Sequence, residues 1–146
     1  MEELEYILED CAQLSLQEKP QEWYNNTKYD VYAVKKYYDW YVYSNSYINE
    51  GDYIGRIEGE RKYTWEVLPH KYCTWINDSY VIDSQEEPRC ITAMFRQTYE
   101  EGLIPNCEVA FVYTSETIEV YAKAISPIYP GEELIIRKDM DEYNYY

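Results

Sequence analysis

The chain has 146 residues, 46% of them apolar, which suits one compact domain with a core, leaves little room for a second, and argues against disorder. Acids outnumber bases 28 to 13, a net charge of -15, so the surface repels phosphate backbones and direct nucleic-acid binding is excluded. The same charge favours encounter with a basic protein or peptide, although acidity can also serve solubility alone.

Residues 1–15 are predicted as a helix, because Leu4, Ile7, Leu8 and Cys11 recur at three- and four-residue spacing with acids on the other faces. Pro20 ends that pattern, and residues 21–30 read as a linker or turn. The division is therefore an N-terminal helix and linker over 1–26 and one domain over 27–146. The start, MEELEYILEDC, has no apolar run of the kind a secretory leader needs, and no segment is long enough to span a membrane. An intracellular protein, nuclear or cytoplasmic, is expected.

From Tyr29 onward the pattern changes. DVYAV, YVY, YIGRIEG, YTWEV, YVID, VAFVY, IEVYA and ELIIR are short runs rich in Val, Ile, Tyr and Phe, separated by Gly, Asn, Asp, Pro and Ser. They predict a mainly β domain, and the 20 tyrosines fit it, since tyrosine favours strands and can keep its hydroxyl wet. Residues 49–52 and Pro130-Gly131 read as turns, and Thr114-Ser115-Glu116 joins two runs as a hairpin. A short helix is expected around Ala93 to Tyr99. The four cysteines, Cys11, Cys73, Cys90 and Cys107, lack metal-binding spacing with each other or with His70, so no metal is expected.

Three segments, in order, carry a resemblance. INEGDYIGRIEGE at 48–60 is similar to the pattern I-x-x-G-x-x-I-x-x-Y-x-G-E. YVID at 80–83, AMF at 93–95 and PNCEV at 105–109 are similar to Y-x-I-D … A-R-F-I-N-H-S-C-x-P-N-C. AISPIYPGEEL at 124–134 is similar to A-x-x-x-I-x-P-G-E-E-L. Each is weak alone, but their shared order and spacing resemble the SET domain of protein lysine methyltransferases.

The resemblance implies a SET-like fold of several small sheets, with the second and third segments side by side in a pseudoknot-like C-terminal region. It implies S-adenosylmethionine as cofactor and a basic substrate such as a histone tail. The family holds both reactants in one aligned geometry and rings the transferring methyl with oxygens.

Several of the family's working parts are changed. Its Gly-x-Gly, where bare backbone meets the cofactor, falls on Asp39, Trp40 and Tyr41. Its Asn-His pair falls on Gln97 and Thr98, after Arg96, which stands at an apolar position and could offset acids or bind an anionic group. Its catalytic tyrosine falls on Lys138, whose charge is unfavourable beside a sulfonium. Two readings follow: a divergent, weakly active enzyme that recruits another tyrosine such as Tyr143, or a non-catalytic SET-like module that binds a basic partner. The tail at 139–146 is a candidate to pack its aromatics on the cleft. Asp83 is read as a backbone-bonding carboxylate, His70 as a loop residue, and Glu132 with Glu133 as shaping the turn before the last strand.

Overall fold

The computed structural model describes residues 23–86, 89–98 and 102–138. The predicted helix over 1–15, Tyr99 and the tail with Tyr143 lie outside the described residues.

The first β-hairpin pairs β2 (Val31–Lys36) with β3 (Asp39–Ser44). Alternation decides which face goes inward: Val31, Ala33, Val42 and Ser44 are buried, and their neighbours are not. The two-residue turn is Tyr37-Tyr38, with φ of 52° and 69°. Asn-Gly is the usual choice there, because a bulky residue at positive φ costs about 1 kcal/mol or more.

Trp23–Tyr24 (β1), read from sequence as linker, instead pairs in parallel with Arg89–Cys90 (β8). β4 (Tyr53–Arg56) follows the turn at 49–52, where Gly51 has φ 91°. β5 (Glu60–Tyr63), β7 (Tyr80–Asp83) and β6 (Cys73–Trp75) form a three-stranded antiparallel sheet in that order. The YTWEV run, expected as a strand, splits. Tyr63 ends β5, and Thr64–Glu66 is a 3₁₀ turn, which the Glu66 carboxylate closes by accepting the Tyr63 N–H at 3.1 Å.

The expected helix around Ala93 also differs. Ile91–Met94 makes one 3₁₀ turn, and the chain then extends into β9 (Arg96–Gln97). Every residue from 91 to 95 is buried, so no solvent face exists for an amphipathic helix. β10 (Cys107–Tyr113) and β11 (Ile118–Ala124) form the predicted hairpin, and β12 (Ile135–Arg137) closes the fold.

The five-stranded sheet has the order β4-β11-β10-β12-β9. β9 and β10 are consecutive in the chain, yet β12 lies between them, parallel to both. This is the knot-like arrangement that the order of motifs implies. Asn106 fastens it: its amide donates to the Glu133 carbonyl at 2.7 Å and its side-chain oxygen accepts the Ile135 N–H at 2.9 Å. Ile48 bridges Ile128, Tyr43 bridges Glu133, and the Leu134 N–H donates to the Val42 carbonyl at 2.8 Å. The three motif segments thus share one core, in which Ile48, Ile54, Ile57, Phe95, Leu134 and Ile136 are almost wholly buried. Each such side chain contributes about 1.5–3 kcal/mol by leaving water.

Candidate functional site

β3 and β9 face each other across a narrow cleft. Asp39, Trp40, Arg96 and Gln97 line it, joined by Lys71, Tyr72 and the 91–95 turn. Three of these side chains close it by bonding one another or the backbone. Lys71 Nζ donates to Asp39 Oδ1 at 2.9 Å, and the same oxygen accepts the Trp40 N–H at 2.9 Å. Burial pushes the Asp39 carboxyl up, but Lys71, the Trp40 N–H and the Arg96 charge outweigh it and hold it below the ordinary carboxylate range.

Arg96 forms a two-pronged pair with Glu133, Nε to Oε2 at 3.0 Å and Nη2 to Oε1 at 2.7 Å. Its guanidinium also lies 4.8 Å above the Tyr41 ring. Of its two predicted roles, the structure realises the offsetting of acids. Gln97, only 4% exposed, donates its amide N–H to the Lys71 carbonyl. Its side-chain oxygen is buried without a hydrogen-bond partner among the described residues.

Thr98 and Lys138 do not line this cleft. The Thr98 N–H is tied to the Ile136 carbonyl at 3.3 Å. Lys138 reaches back to β6, where Nζ donates to the Cys73 carbonyl at 3.3 Å. Burial lowers its ammonium to about 8. Lys71 and Tyr72 carry no motif and come from a loop that folding alone brings here. Ile57 is a change the quoted pattern does reveal: it stands at the tyrosine before G-E, buried and without a hydroxyl.

The space left in the cleft is about 20 Å³, room for one water. Sites that hold a nucleoside-sized molecule enclose about 300 Å³ or more. No glycine-bared backbone lies along β3, and the two amide-bearing or charged side chains of β9 are committed to Lys71 and Glu133. The described residues that line this cleft leave no room for S-adenosylmethionine.

Although their spacing carries no metal signature, His70, Cys73 and Asp83 meet, with their ligand atoms within 4.8 Å of one another. His70 Nδ1 accepts the Tyr72 N–H at 3.1 Å, so the ring proton sits on Nε2, which points at Asp83 Oδ1 at 3.2 Å. Asp83 also takes Lys62 Nζ at 3.0 Å and the Gln85 N–H at 3.0 Å. Burial raises the Asp83 carboxyl, but the Gln85 N–H, Lys62 and His70 outweigh it and hold it low. Burial pushes the Cys73 thiol up, away from the thiolate that binds metals. Within this group the Lys62–Asp83 ion pair ties β5 to β7. Asp83 thus does more than bond backbone, and Glu132 shapes its turn by accepting the Tyr129 N–H at 2.8 Å.

Comparison with known proteins supplies the family. The model of the SET domain matches residues 5–137. No curated protein matches the chain. Among solved structures it is similar to the crystal structure of KRYPTONITE in complex with mCHG DNA and SAH, with TM-score 0.62 and 20% identity over 82% of this chain. It spans 24% of that chain's length. The motif order, the strand inserted between β9 and β10, and a family match across nearly the whole sequence agree: the chain belongs to the SET-domain family.

Proposed function

We propose that this SET domain does not carry out S-adenosylmethionine-dependent lysine methyl transfer and serves as a binding module for basic protein segments. The observation that carries the reading is the cleft between β3 and β9, about 20 Å³ in volume and closed by the chain's own Asp39–Lys71 and Arg96–Glu133 pairs. Methyl transfer needs a cofactor and an amine aligned within bonding reach, and a cleft filled by side chains offers no place for that alignment. Lys138 adds to the case. It stands at the position of the family's catalytic tyrosine, yet its Nζ lies outside the cleft on the Cys73 carbonyl at 3.3 Å, so that position offers no hydroxyl to a transferring methyl. The net charge of -15 supports the second half of the proposal, since it draws basic peptides such as histone tails.

Titration calorimetry tests the first half. S-adenosylmethionine and SAH, each raised to about 1 mM, are expected to give no saturable heat and no thermal shift. A Kd below roughly 100 μM, or transfer of labelled methyl to a histone peptide, would overturn the proposal.

A further inference from the structure

We infer that the groove between β5 and the β10–β11 turn is the docking site for an arginine-bearing basic segment of a partner protein. This inference deepens the binding-module reading and rests on it.

The groove encloses about 470 Å³, well over the volume of the closed cleft, and shares no lining residue with it. Tyr63, Tyr80, Ile76 and Ile118 give it apolar walls, and Glu66 and Glu116 stand at its edge. Its aromatic wall continues outward as a stack: Trp65 lies flat on Tyr63 at 4.4 Å and 8°, and Tyr63 meets Tyr80 at 5.3 Å. Trp65 is 74% exposed, leaving one indole face open to solvent. Stacked, exposed Trp and Tyr are the side chains that dominate binding surfaces, because they bring large area with little rotamer entropy.

Charge selects the occupant. Of the two cations of the groove, Lys62 is balanced by Asp83 at 3.0 Å and Glu60 at 3.8 Å, and Arg61 keeps its charge while Nη2 donates to the Ile118 carbonyl at 2.6 Å. Glu66, which accepts the Tyr63 N–H, and Glu116 have no ion-pair partner among the described residues, so two carboxylates outweigh one unbalanced guanidinium. A guanidinium can lie on the open ring face while its N–H groups reach a carboxylate, a combination that an ammonium performs less well. The net negative charge of the chain disfavours a phosphate-bearing occupant.

The test is fluorescence anisotropy with a labelled peptide of about twelve residues, half of them arginine, at low salt, with tryptophan emission followed in parallel. Saturable binding is expected. Trp65→Ala and Glu116→Gln are each expected to weaken it about tenfold, whereas Glu50→Gln, the same charge change on the 49–52 turn, leaves it within about twofold. Trp65 is exposed and Glu116 lies on a turn, so circular dichroism of both variants is expected to match the native chain. Equal losses from Glu116→Gln and Glu50→Gln would overturn the groove while leaving the basic-partner reading in place. Equally tight binding of spermine would overturn the peptide as occupant. No binding of the peptide to the native chain would overturn both readings.

Discussion

The Arg96–Glu133 pair offers the sharpest test of how the cleft is held shut. Both side chains are mostly buried, at 21% and 14% exposure, and they meet through two hydrogen bonds of 3.0 and 2.7 Å. Removing one partner of a buried pair typically costs 3–5 kcal/mol, because the other charge stays behind without compensation. The residual exposure here lets water reach the stranded group, which reduces the expectation to about 2–3 kcal/mol for Arg96→Met or Glu133→Met. Arg96→Met also gives up the contact with the Tyr41 ring, adding about 0.5 kcal/mol. For a chain of this size that amounts to a fall in Tm of roughly 8 °C. The double variant carries no stranded charge and fills similar volume, so it is expected within about 1 kcal/mol of the native chain. Guanidinium-chloride unfolding of the four proteins gives the coupling directly, expected at about 4 kcal/mol as the two single losses less that of the double variant, and little changed by high salt. A coupling under about 0.5 kcal/mol would mean that the pair behaves like a surface contact and does not clasp β9 to the closing segment.

Two further outcomes follow from single positions. Lys138 gives up its proton near pH 8 in the fold against 10.5 ordinarily, so between those values the unfolded state holds more protons and burial of the ammonium weighs on the fold most below pH 8. Lys138→Met is therefore expected to be more stable than the native chain near neutrality, with the gap closing as pH rises towards about 10. Paired thermal melts check it, and a gap independent of pH would refute it. Gly59 packs so closely that an added Cβ would lie 2.5 Å from the Asp83 carbonyl oxygen and 2.9 Å from Ser84 Oγ. Gly59→Ala is expected to lower Tm by roughly 6 °C or more by forcing β5 and β7 apart, measurable by calorimetry.

What the sequence revealed follows from how local each feature is. The β10–β11 hairpin is legible because Thr114 begins a turn with its own side chain, its Oγ1 accepting the Thr117 N–H at 3.0 Å. The convergence of residues 48, 95 and 134 is legible through the order of the motifs. β5 is not, because Lys62 points inward to Asp83 and breaks the apolar alternation that marks a strand. Two-residue strands such as β1 have no period to detect. In the cleft, the sequence identifies Gln97 and Arg96 as altered. It cannot indicate that Gln97 turns onto the Lys71 carbonyl or that Lys71 pairs with Asp39, since a residue's partner across 32 positions leaves no local trace.

The changed positions differ from a site that has merely lost a residue. A cofactor pocket emptied one contact at a time would leave donors and acceptors facing a hole, each costing about 1–3 kcal/mol. Here Asp39 is taken by Lys71, Arg96 by Glu133, the Gln97 amide by the Lys71 carbonyl and Lys138 by the Cys73 carbonyl. Only the Gln97 oxygen is left over among the described residues of this group. Asp39, Arg96 and Gln97 therefore each tie a neighbouring element, whereas the buried Lys138 ammonium weighs on the fold. On the proposed reading, restoring the family residue at Asp39 or Arg96 alone would strand Lys71 or Glu133 before it opened any room, so opening the cleft requires several changes together.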